Sequence, residues 1–395
     1  MPEILHAVDQ YQLQCVSLAD ANASLLAEWQ SFRHQSGSDS WMHDPEWLTG
    51  YFEGQTANLR LYSLYQSGSL AGIAPFLVRD WPMIWHLGEV PVATFPLTRL
   101  RLLGDNVAFP EDERAYDSLF TALAAPGGGF DTLFLEGIPT DSYLWNYLHS
   151  SEMIRRNFLA YEPEPPAPHP ILRVQGSFEE YMGKYSSKSR NTLTRKVKKF
   201  REGTLGPMRF ARFERPEDVP LFMEHAVEVS RKTYQWIRHQ RGLSATELIT
   251  KRLLFAAQHG SMRSYLLYCG DSPCAFLVGY QASGRFLLDE IGFDPAFAKH
   301  SAGTVLQMLT VEDLFKYNSP RLFDLGDYGR YKEVLSTESY MQGKLYLFRR
   351  GPYMRFLRTG HRSCQFVSST IASTLDRFNL KTKVRQFLRG WKAPQ

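Results

Sequence analysis

The spacing of apolar residues predicts a chain built from two blocks, each of which mixes helices and strands. Helical spacing and alternating or continuous apolar runs distinguish the two kinds of element. The first block contains two helices, two strands, a third helix and a last strand, at Ser24–His34, Asp44–Phe52, Leu59–Tyr65, Leu70–Val78, Glu113–Ala124 and Thr132–Leu135. This order predicts an α/β arrangement.

The second block follows the same plan. Its predicted strands are Ile171–Val174, Met208–Phe213, Ser264–Tyr268, Ala275–Tyr280, Phe286–Phe293 and Leu322–Leu325, and its predicted helices are Phe178–Arg201, 215–236, 244–258 and Gly303–Lys316. Between the blocks lies the Pro-rich stretch Tyr161–Pro170, which cannot continue a helix or a central strand. We therefore expect domains over residues 1–160 and 171–351, an extended linker over 161–170, and a tail over 352–395.

The two blocks also resemble each other in sequence. At one fixed offset, four residues coincide in the pairs Arg60/Arg263, Tyr62/Tyr265, Leu64/Leu267 and Tyr65/Tyr268. Apolar strands look alike by chance, so this match alone fits either duplication or coincidence. A later match, of TLFLEG at Thr132–Gly137 to RLFDLG at Arg321–Gly326, favours duplication.

Composition is that of a soluble globular protein. Hydrophobic residues make up 44% of the 395, and no run approaches the roughly 18 apolar residues of a membrane-spanning helix. The four cysteines form no CxxC pair, and the eleven histidines show no paired metal spacing. The sequence predicts a cytoplasmic protein with no disulfide framework and no metal.

Charge is distributed unevenly along this chain of formal net charge +4. Residues 352–395 contain nine Lys/Arg and one Asp, so the remainder carries a net charge of −4. From Ile371 to Trp391, apolar residues recur at helical spacing with basic residues between them. This basic amphipathic pattern predicts a helix that either packs on its own domain or binds an anionic membrane surface. Specific anionic partners fit this distribution better than DNA.

A loop with Lys299, Ser301 and Gly303 precedes the helix predicted over Gly303–Lys316 and follows a buried strand. The free N–H groups at such a helix N-terminus can hold a phosphate group, and Gly permits close approach of the backbone. The same residues also fit an ordinary helix start with Ser301 as the N-cap. Spacing alone does not separate these two interpretations.

Three segments resemble the GNAT acyltransferase superfamily. They are the basic segment Ser177–Phe200, the loop and helix Phe293–Phe315, and the closing segment RLFDLGDYGRYKEVLSTE at Arg321–Glu338. Together they look like the CelD-type branch, associated with cellulose and exopolysaccharide synthesis and related to the Fem aminoacyltransferases. The resemblance implies two tandem GNAT-like domains, each a mixed, mostly antiparallel sheet flanked by helices, with a basic helical tail and a non-catalytic first domain.

The resemblance also implies where a donor binds. Acyl-CoA is expected at the loop formed by Lys299, His300, Ser301, Ala302, Gly303 and Thr304. The expected activity is transfer of an acetyl or other acyl group to an amine or hydroxyl of a sugar or cell-envelope precursor. The loop lacks a full Q/R-x-x-G-x-G pattern, so a non-catalytic scaffold stays open. An aminoacyl-tRNA-dependent transferase is the third possibility.

Acyl transfer to an amine requires a group that removes the amine proton, because a free amine is mostly charged at neutral pH. Asp289 and Glu290 lie on the strand that should flank the thioester, where alternate side chains face opposite ways. Asp327 and Tyr331 follow the next strand, and the phenol is a candidate acid for the thiolate. These four residues are the expected catalytic group.

Candidate acceptor or phosphate contacts lie on three segments. The predicted basic helix carries Lys188, Arg190 and Arg195 with no acid to relieve their repulsion, which favours phosphate binding over a solvated face. Tyr234, Trp236 and Arg241 could line an acceptor pocket, although helix packing explains the two aromatics equally well. Lys332 could bind an anion or be solvated.

Overall fold

The protein was analysed as a computed structural model that describes the backbone of residues 3–8, 10–36, 40–88, 90–203, 206–317, 320–326 and 329–377. Within these ranges, the side chains of residues 3–8, 238, 239, 330, 331 and 372–377 are not described. The predicted stripe from Phe378 to Trp391 therefore lies outside the described residues.

Strands and helices alternate along the described chain. The helices are α1 Ala23–Ser36, α2 Pro45–Tyr51, α3 Glu113–Ala124, α4 Tyr143–Ser150, α5 Glu152–Asn157, α6 Phe178–Gly183, α7 Ser187–Arg201, α8 Val219–Lys232, α9 Tyr234–His239, α10 Glu247–Gln258, α11 Ala302–Lys316, α12 Arg330–Leu335 and α13 Pro352–Arg377. The strands are β1 Glu3–Val8, β2 Tyr11–Ser17, β3 Leu59–Gln66, β4 Ser69–Asp80, β5 Met83–Leu87, β6 Val90–Phe95, β7 Thr98–Leu102, β8 Thr132–Pro139, β9 Phe158–Tyr161, β10 Ala167–Arg173, β11 Met208–Phe213, β12 Ser264–Cys269, β13 Ser272–Ala282, β14 Arg285–Phe293, β15 Leu322–Asp324 and β16 Glu338–Arg349.

These elements form two compact units whose boundaries differ from the predicted ones. Unit 1 comprises residues 1–21, 57–166 and 343–395, and unit 2 comprises 22–56 and 167–342. Helices α1 and α2 belong to unit 2 because α2 packs on α10 there. Residues 338–342 of β16 pair with β10 in unit 2, whereas its residues 346–349 pair with β9 in unit 1. Contacts distant in sequence set these boundaries.

Each unit has a mixed, mostly antiparallel sheet flanked by helices, as expected from the sequence. In unit 1, strands follow the order β1-β2-β3-β4-β7-β8, antiparallel up to β7 and parallel between β7 and β8. In unit 2, the order β11-β12-β13-β14-β15-β10 is antiparallel except for the parallel pair β14–β15. Each sheet thus has one parallel pair next to a long hairpin.

The hairpins β3–β4 and β12–β13 share one register. Leu64 pairs with Gly72 and Leu267 pairs with Ala275. Each ladder shifts register immediately afterwards, at Leu64/Tyr65 and at Leu267/Tyr268. The paired positions and the two irregularities are related by the same sequence offset as the residue matches. Chance similarity between apolar strands does not require a shared irregularity, so the fold favours duplication.

One long predicted helix is divided into α6 and α7 in the structure. The helix expected over 178–201 is broken at residues 184–186, where Ser186 accepts a hydrogen bond from the Ser189 N–H (3.2 Å) and starts α7. The break lets Lys184 donate to the carbonyls of Leu335 and Ser336, both at 2.6 Å, at the end of α12. A propensity pattern continuous across the break could not show this contact.

Part of the expected linker is a strand. Residues 167–173 form β10, including two prolines that the sequence pattern seemed to exclude from a central strand. Residues 167–171 pair with β16, and only residues 171–173 pair with β15 on the other side. The prolines therefore lie where one side of the strand has no ladder partner, and a missing N–H is tolerated there.

Helix α11 is fixed to the sheet of unit 2 through Asp313. Its carboxylate accepts hydrogen bonds from Arg263 (2.8 Å), Tyr265 (2.9 Å) and Arg212 (3.3 Å), on β12 and β11. Arg263 and Tyr265 are both buried. A buried cation needs this carboxylate, so the network holds the C-terminal half of α11 against the strands.

Replacing Asp313 by Asn should therefore destabilise the protein by about 3 kcal/mol, because Arg263 loses its buried counter-ion. Urea denaturation followed by circular dichroism measures the change. Asp271→Asn, in the exposed turn between β12 and β13, is the matched control and should have little effect. Equal stability of the two variants would show that the network does not hold α11.

Candidate active site

A β-bulge on β14 brings Asp289 and Glu290 to the same face of the sheet. Val278 of β13 pairs with Glu290 and the next residue, Gly279, pairs with Leu288, so Asp289 is the extra residue. Leu288 and Ile291 pack in the core with α7 and α11, whereas Leu287 packs in the core with α8 and α10. Both carboxylates lie on the α8–α10 side, and the expectation that they face opposite ways is wrong. The bulge interrupts the two-residue alternation.

The bulge lies where β14 and β15 part. Their parallel pairing covers three residues and ends at Leu287 and Asp324, after which β14 continues to Phe293 without β15. Gly326 follows at this point, close to the carbonyl oxygen of Leu288. The opening between the two strands thus begins immediately before the paired carboxylates.

Glu290 has the properties of a proton acceptor near neutral pH. Burial first and the nearby charge of Asp289 second raise the pKa of its carboxyl to about 7, against the opposing hydrogen bond from the Leu243 N–H. A catalytic base is most effective when its pKa is close to the working pH. Of the four expected catalytic residues, Glu290 is the one whose described surroundings support this role most directly.

Asp289 lies beside Glu290 but has different neighbours. Part of the Asp289 residue is exposed to solvent, but many protein atoms lie around its carboxyl group. The resulting desolvation raises the pKa of Asp289, and the charge of Arg252 opposes this rise. Arg252 is fixed by a hydrogen bond from its Nε to the Tyr51 carbonyl (2.7 Å) and stacks 4.4 Å from the Tyr51 ring. Tyr280 is adjacent and buried. Asp289 therefore has a buried tyrosine and one fixed cation as neighbours.

The turn after α9 closes the other side of Glu290. Gly242 has a φ of +143°, and a Cβ there would lie 2.7 Å from Ser230 Oγ and 3.4 Å from Glu290 Oε1. Any side chain at this position would therefore be strained and would collide with Ser230. Trp236 is also close to this point, at 3.6 Å. The glycine lets the Leu243 N–H reach the Glu290 carboxylate.

The N-terminus of α11 is open to an anion. Ser301 has a left-handed conformation (φ 60°) and does not cap the helix with its side chain, contrary to the N-cap interpretation. The first intrahelical bond described at this end runs from the Val305 N–H to the Ser301 carbonyl (3.0 Å). The N–H groups of Ala302, Gly303 and Thr304 lie before Val305 in the chain. The first N–H groups of a helix have no carbonyl acceptor within that helix. This arrangement fits a phosphate group.

The corresponding helix of unit 1 is closed. Helix α3 follows the antiparallel β4–β7 pair and precedes β8, as α11 follows β13–β14 and precedes β15. Asp112 caps α3 by accepting from the Arg114 N–H (3.0 Å), and Glu111 and Glu113 flank it. Acidic side chains complete this helix end and repel a phosphate. The β4–β7 ladder also shows no register shift among its paired residues.

The structure places the other predicted residues in three situations. Lys188, Arg190 and Arg195 are exposed on α7, which packs on α11 and contacts the 3-10 helix Pro295–His300, and none makes an ion pair within the described residues. Tyr234 and Arg241 are exposed near the α9 turn, and Lys332 lies close to Gly326. Asp327 lies outside the described residues, and of Tyr331 only the backbone, in α12, is described.

The sequence analysis did not identify several residues of this region. Arg252, Gly242 and Leu243 belong to segments far from β14 in sequence, so no local pattern connects them with Glu290. His169 was also missed: its Nε2 lies 2.8 Å from Asp324 Oδ1, which also accepts from the Gly326 N–H at 2.8 Å. Burial alone would raise the pKa of Asp324, but these hydrogen bonds outweigh it and lower the pKa. Asp324 therefore stays ionised and orients Gly326.

Residues 187–333 match the family model described as an acetyltransferase (GNAT) domain. The match spans α7, the bulged strand β14 and α11. This part of unit 2 is therefore similar to a GNAT acetyltransferase domain. No curated protein matches the chain.

Solved structures add evidence on the fold. Units 1 and 2 together resemble a crystal structure of FemX, with a TM-score of 0.53 and 9% sequence identity. The match covers 76% of this chain and 90% of that chain. A tandem GNAT protein from the clavulanic acid biosynthesis pathway aligns with a TM-score of 0.47, 13% identity, and coverage of 87% and 99%. At these identities the likeness concerns fold alone. The expected α/β fold class, with mixed sheets flanked by helices, is confirmed by the topology of the two units.

Two negative findings concern the described residues. No helix there is long and apolar enough to cross a membrane. No group of three or more His, Cys, Asp or Glu residues in the same part of the chain could hold a metal ion.

The raised pKa of Glu290 predicts a gain in stability for Glu290→Gln at high pH. The unfolded chain ionises this group near pH 4.5 and the folded protein near 7, so ionisation costs stability as the pH rises through this window. Neutral Gln avoids that cost and should raise the melting temperature by a few degrees at about pH 8, with a smaller change at about pH 5.

Thermal denaturation at the two pH values measures this difference. Glu312→Gln is the control, because Glu312 is exposed on α11 and should show no such pH dependence. A melting temperature for Glu290→Gln that stays below wild type at both pH values would contradict the raised pKa.

Proposed function

We propose that unit 2 transfers an acyl group from acyl-CoA to an amine or hydroxyl of a sugar or cell-envelope precursor, with Glu290 as the general base. The observation that carries this proposal is the position of Glu290. It lies on the bulge of β14 where the parallel pair opens, and burial raises its pKa to about 7. A base of this pKa is half ionised at neutral pH and can accept the proton of an ammonium group.

The donor would bind at the open end of α11. The N–H groups of Ala302, Gly303 and Thr304 can donate hydrogen bonds to the pyrophosphate of CoA, with Lys299 exposed beside them. Val305 and Ala302 are buried, so the helix end is fixed and its amides are already oriented. Anchoring the pyrophosphate here would allow the thioester to extend along β14 towards the bulge.

The proposed reaction forms a C–N bond and breaks a C–S bond. Glu290 removes a proton from the acceptor amine, directly or through a water molecule, and the amine nitrogen attacks the thioester carbonyl carbon. The tetrahedral intermediate then expels the CoA thiolate, which takes up a proton. For that last proton, Tyr331 stays our proposed donor. Asp289 would bind the ammonium form of the acceptor before Glu290 deprotonates it.

The acceptor side is proposed from exposed aromatic and basic groups. Trp236 lies next to Gly242 and Glu290, and Tyr234 is exposed on the same helix. Flat aromatic surfaces suit sugar rings, and Arg241 and Lys332 could bind an attached phosphate. Together they support an amino sugar or a phosphorylated envelope precursor, as the CelD-type resemblance implies.

A second candidate function is transfer from aminoacyl-tRNA. The observation that favours it is the row of exposed cations on α7, where Lys188, Arg190 and Arg195 have no ionic partner among the described residues. Such a surface also suits a polyanion larger than CoA. Binding of charged tRNA in the absence of CoA binding would favour this candidate.

Donor binding can be tested at Gly303. We expect Gly303→Glu to weaken CoA binding at least roughly tenfold, because a carboxylate would stand where the pyrophosphate binds. Gly303→Ala is the matched control, since it adds the same Cβ, 3.0 Å from the exposed Phe293 ring, without the charge. Isothermal titration calorimetry with acetyl-CoA measures both. Unchanged affinity in a folded Gly303→Glu protein would refute this donor site.

Glu290→Gln tests the chemistry separately from binding. Wild-type kcat/KM should rise with pH and level off above about 7, since the ionised carboxylate is the active form. The variant should lower kcat by roughly 100-fold or more and leave CoA affinity unchanged. A screen of amino sugars and polyamines, read by release of free CoA thiol, supplies the acceptor for this assay. Normal turnover by the variant would assign the proton transfer to another group.

A further inference from the structure

Exposed apolar side chains of unit 1 concentrate on two short segments. Of the seventeen large apolar side chains that are exposed in the described part of the chain, ten lie within residues 81–92 and 353–371. Phe366 is 71% exposed, and Leu87, Val90 and Val367 are each exposed by about two fifths, at 38%, 43% and 43%. Scattered apolar residues on a surface are ordinary, but a concentration of this kind marks an interaction surface.

The two segments are held together. Trp85 of β5 packs on the backbone of α13 at Gly360 and lies 5.3 Å from the Phe356 ring. At the tip of the β5–β6 hairpin, Ser368 Oγ accepts from the Gly88 N–H (2.9 Å) and donates to the His86 carbonyl (3.1 Å). The hairpin tip therefore lies directly beside residues 367–371 of the helix.

These contacts join the exposed side chains into one surface. Leu87 and Val90 pair with each other at the hairpin tip, and Ser368 connects that tip to the helix turn that carries Val367 and Ile371. Phe356 lies on the same side of α13, since residues 11 and 15 positions apart share a helix face. We call the group Leu87, Val90, Phe356, Phe366, Val367 and Ile371 the tip–helix surface. Phe366 lies at its edge, about 100° round the helix from Val367, and lines a cavity with Tyr161 and Glu162.

Helix α13 carries positive charge, and the acids near it are few. The sequence has Glu89 between Gly88 and Val90, and Glu162 and Glu164 line one cavity with Arg362 and Phe366. Residues 352–371 of α13 contain no acidic residue, and Arg355 and Arg362 are exposed without an ionic partner among the described residues. The sequence continues after the helix with five further Lys/Arg and no acid over residues 378–395. Apolar side chains flanked by arginines, with uncharged polar residues such as Thr359 and Ser363 among those between them, are typical of a helix that lies in a membrane interface.

We propose that the tip–helix surface docks unit 1 on the surface of an anionic lipid bilayer. Phe366, Val367 and the hairpin tip would enter the headgroup region, and Arg355 and Arg362 would contact lipid phosphates. A second copy of the chain is the alternative occupant, and the experiment below distinguishes the two. This inference does not depend on the proposed acyl transfer.

Vesicle co-sedimentation of the full-length protein tests the proposal. We expect binding to phosphatidylcholine vesicles that contain phosphatidylglycerol, weaker binding to phosphatidylcholine alone, and release at high salt. The double variant Phe366→Ser, Val367→Ser should bind at least roughly tenfold more weakly and keep its melting temperature, since both side chains are exposed. Arg355→Glu with Arg362→Glu should lose the preference for anionic lipid. Leu221→Ser, an exposed leucine on α8 (47%), is the control and should bind as wild type.

Three outcomes would overturn the proposal. The first is that the wild-type protein does not bind anionic vesicles. The second is wild-type binding by the Phe366→Ser, Val367→Ser variant, which would mean that the basic residues after the helix bind lipid without the tip–helix surface. The third is a wild-type dimer in sedimentation velocity that the same variant converts to monomer, which would assign the surface to a second copy of the chain.

Discussion

One extra residue in a strand determines the arrangement of the candidate site. Because Asp289 interrupts the β13–β14 ladder, it and Glu290 share a face instead of alternating. The shared face brings two carboxylates close enough for the charge of one to raise the pKa of the other. In a regular strand Glu290 would face the core of α7 and α11, where an ionisable group has no partner and the acceptor has no access. The bulge therefore places both carboxylates where the proposed proton transfer needs them.

The two units show how one architecture can support or exclude a phosphate site. Both place a helix after an antiparallel pair and before a parallel strand. In unit 2 the helix begins with a left-handed Ser301 and no side-chain cap, whereas in unit 1 Asp112 completes the helix end and two further acids flank it. The difference lies in a few residues at the helix start. Such a change is compatible with a duplicated fold in which one copy kept its amides open and the other became structural.

The site also illustrates a balance between stability and function. Burial of Glu290 disfavours its ionised form, and the same burial gives it a pKa suited to proton transfer near neutral pH. Stabilising contacts elsewhere in unit 2 offset this loss of stability. The Asp313 network fixes α11, and the His169–Asp324 contact fixes the end of β15. Fully hydrogen-bonded polar groups thus occur in the same unit as the poorly solvated carboxylate of Glu290.

The sequence by itself determined the elements and the repeat. Apolar periodicity located β12 to β14 and α11 closely, the matched hairpins indicated the two-unit plan, and the residues before α11 indicated an anion site. Asp289 and Glu290 were also named as candidate catalytic residues, from their place on a strand.

Tertiary structure decided the rest, because the relevant contacts join residues distant in sequence. A bulge depends on the partner strand, so the shared face of the two carboxylates could not be derived from alternation within β14. The pKa of Glu290 depends on burial and on the Leu243 N–H, and the fixed cation beside Asp289 comes from α10. The break before α7 and the place of α1 and α2 in unit 2 have the same origin: packing against remote elements outweighed local propensity.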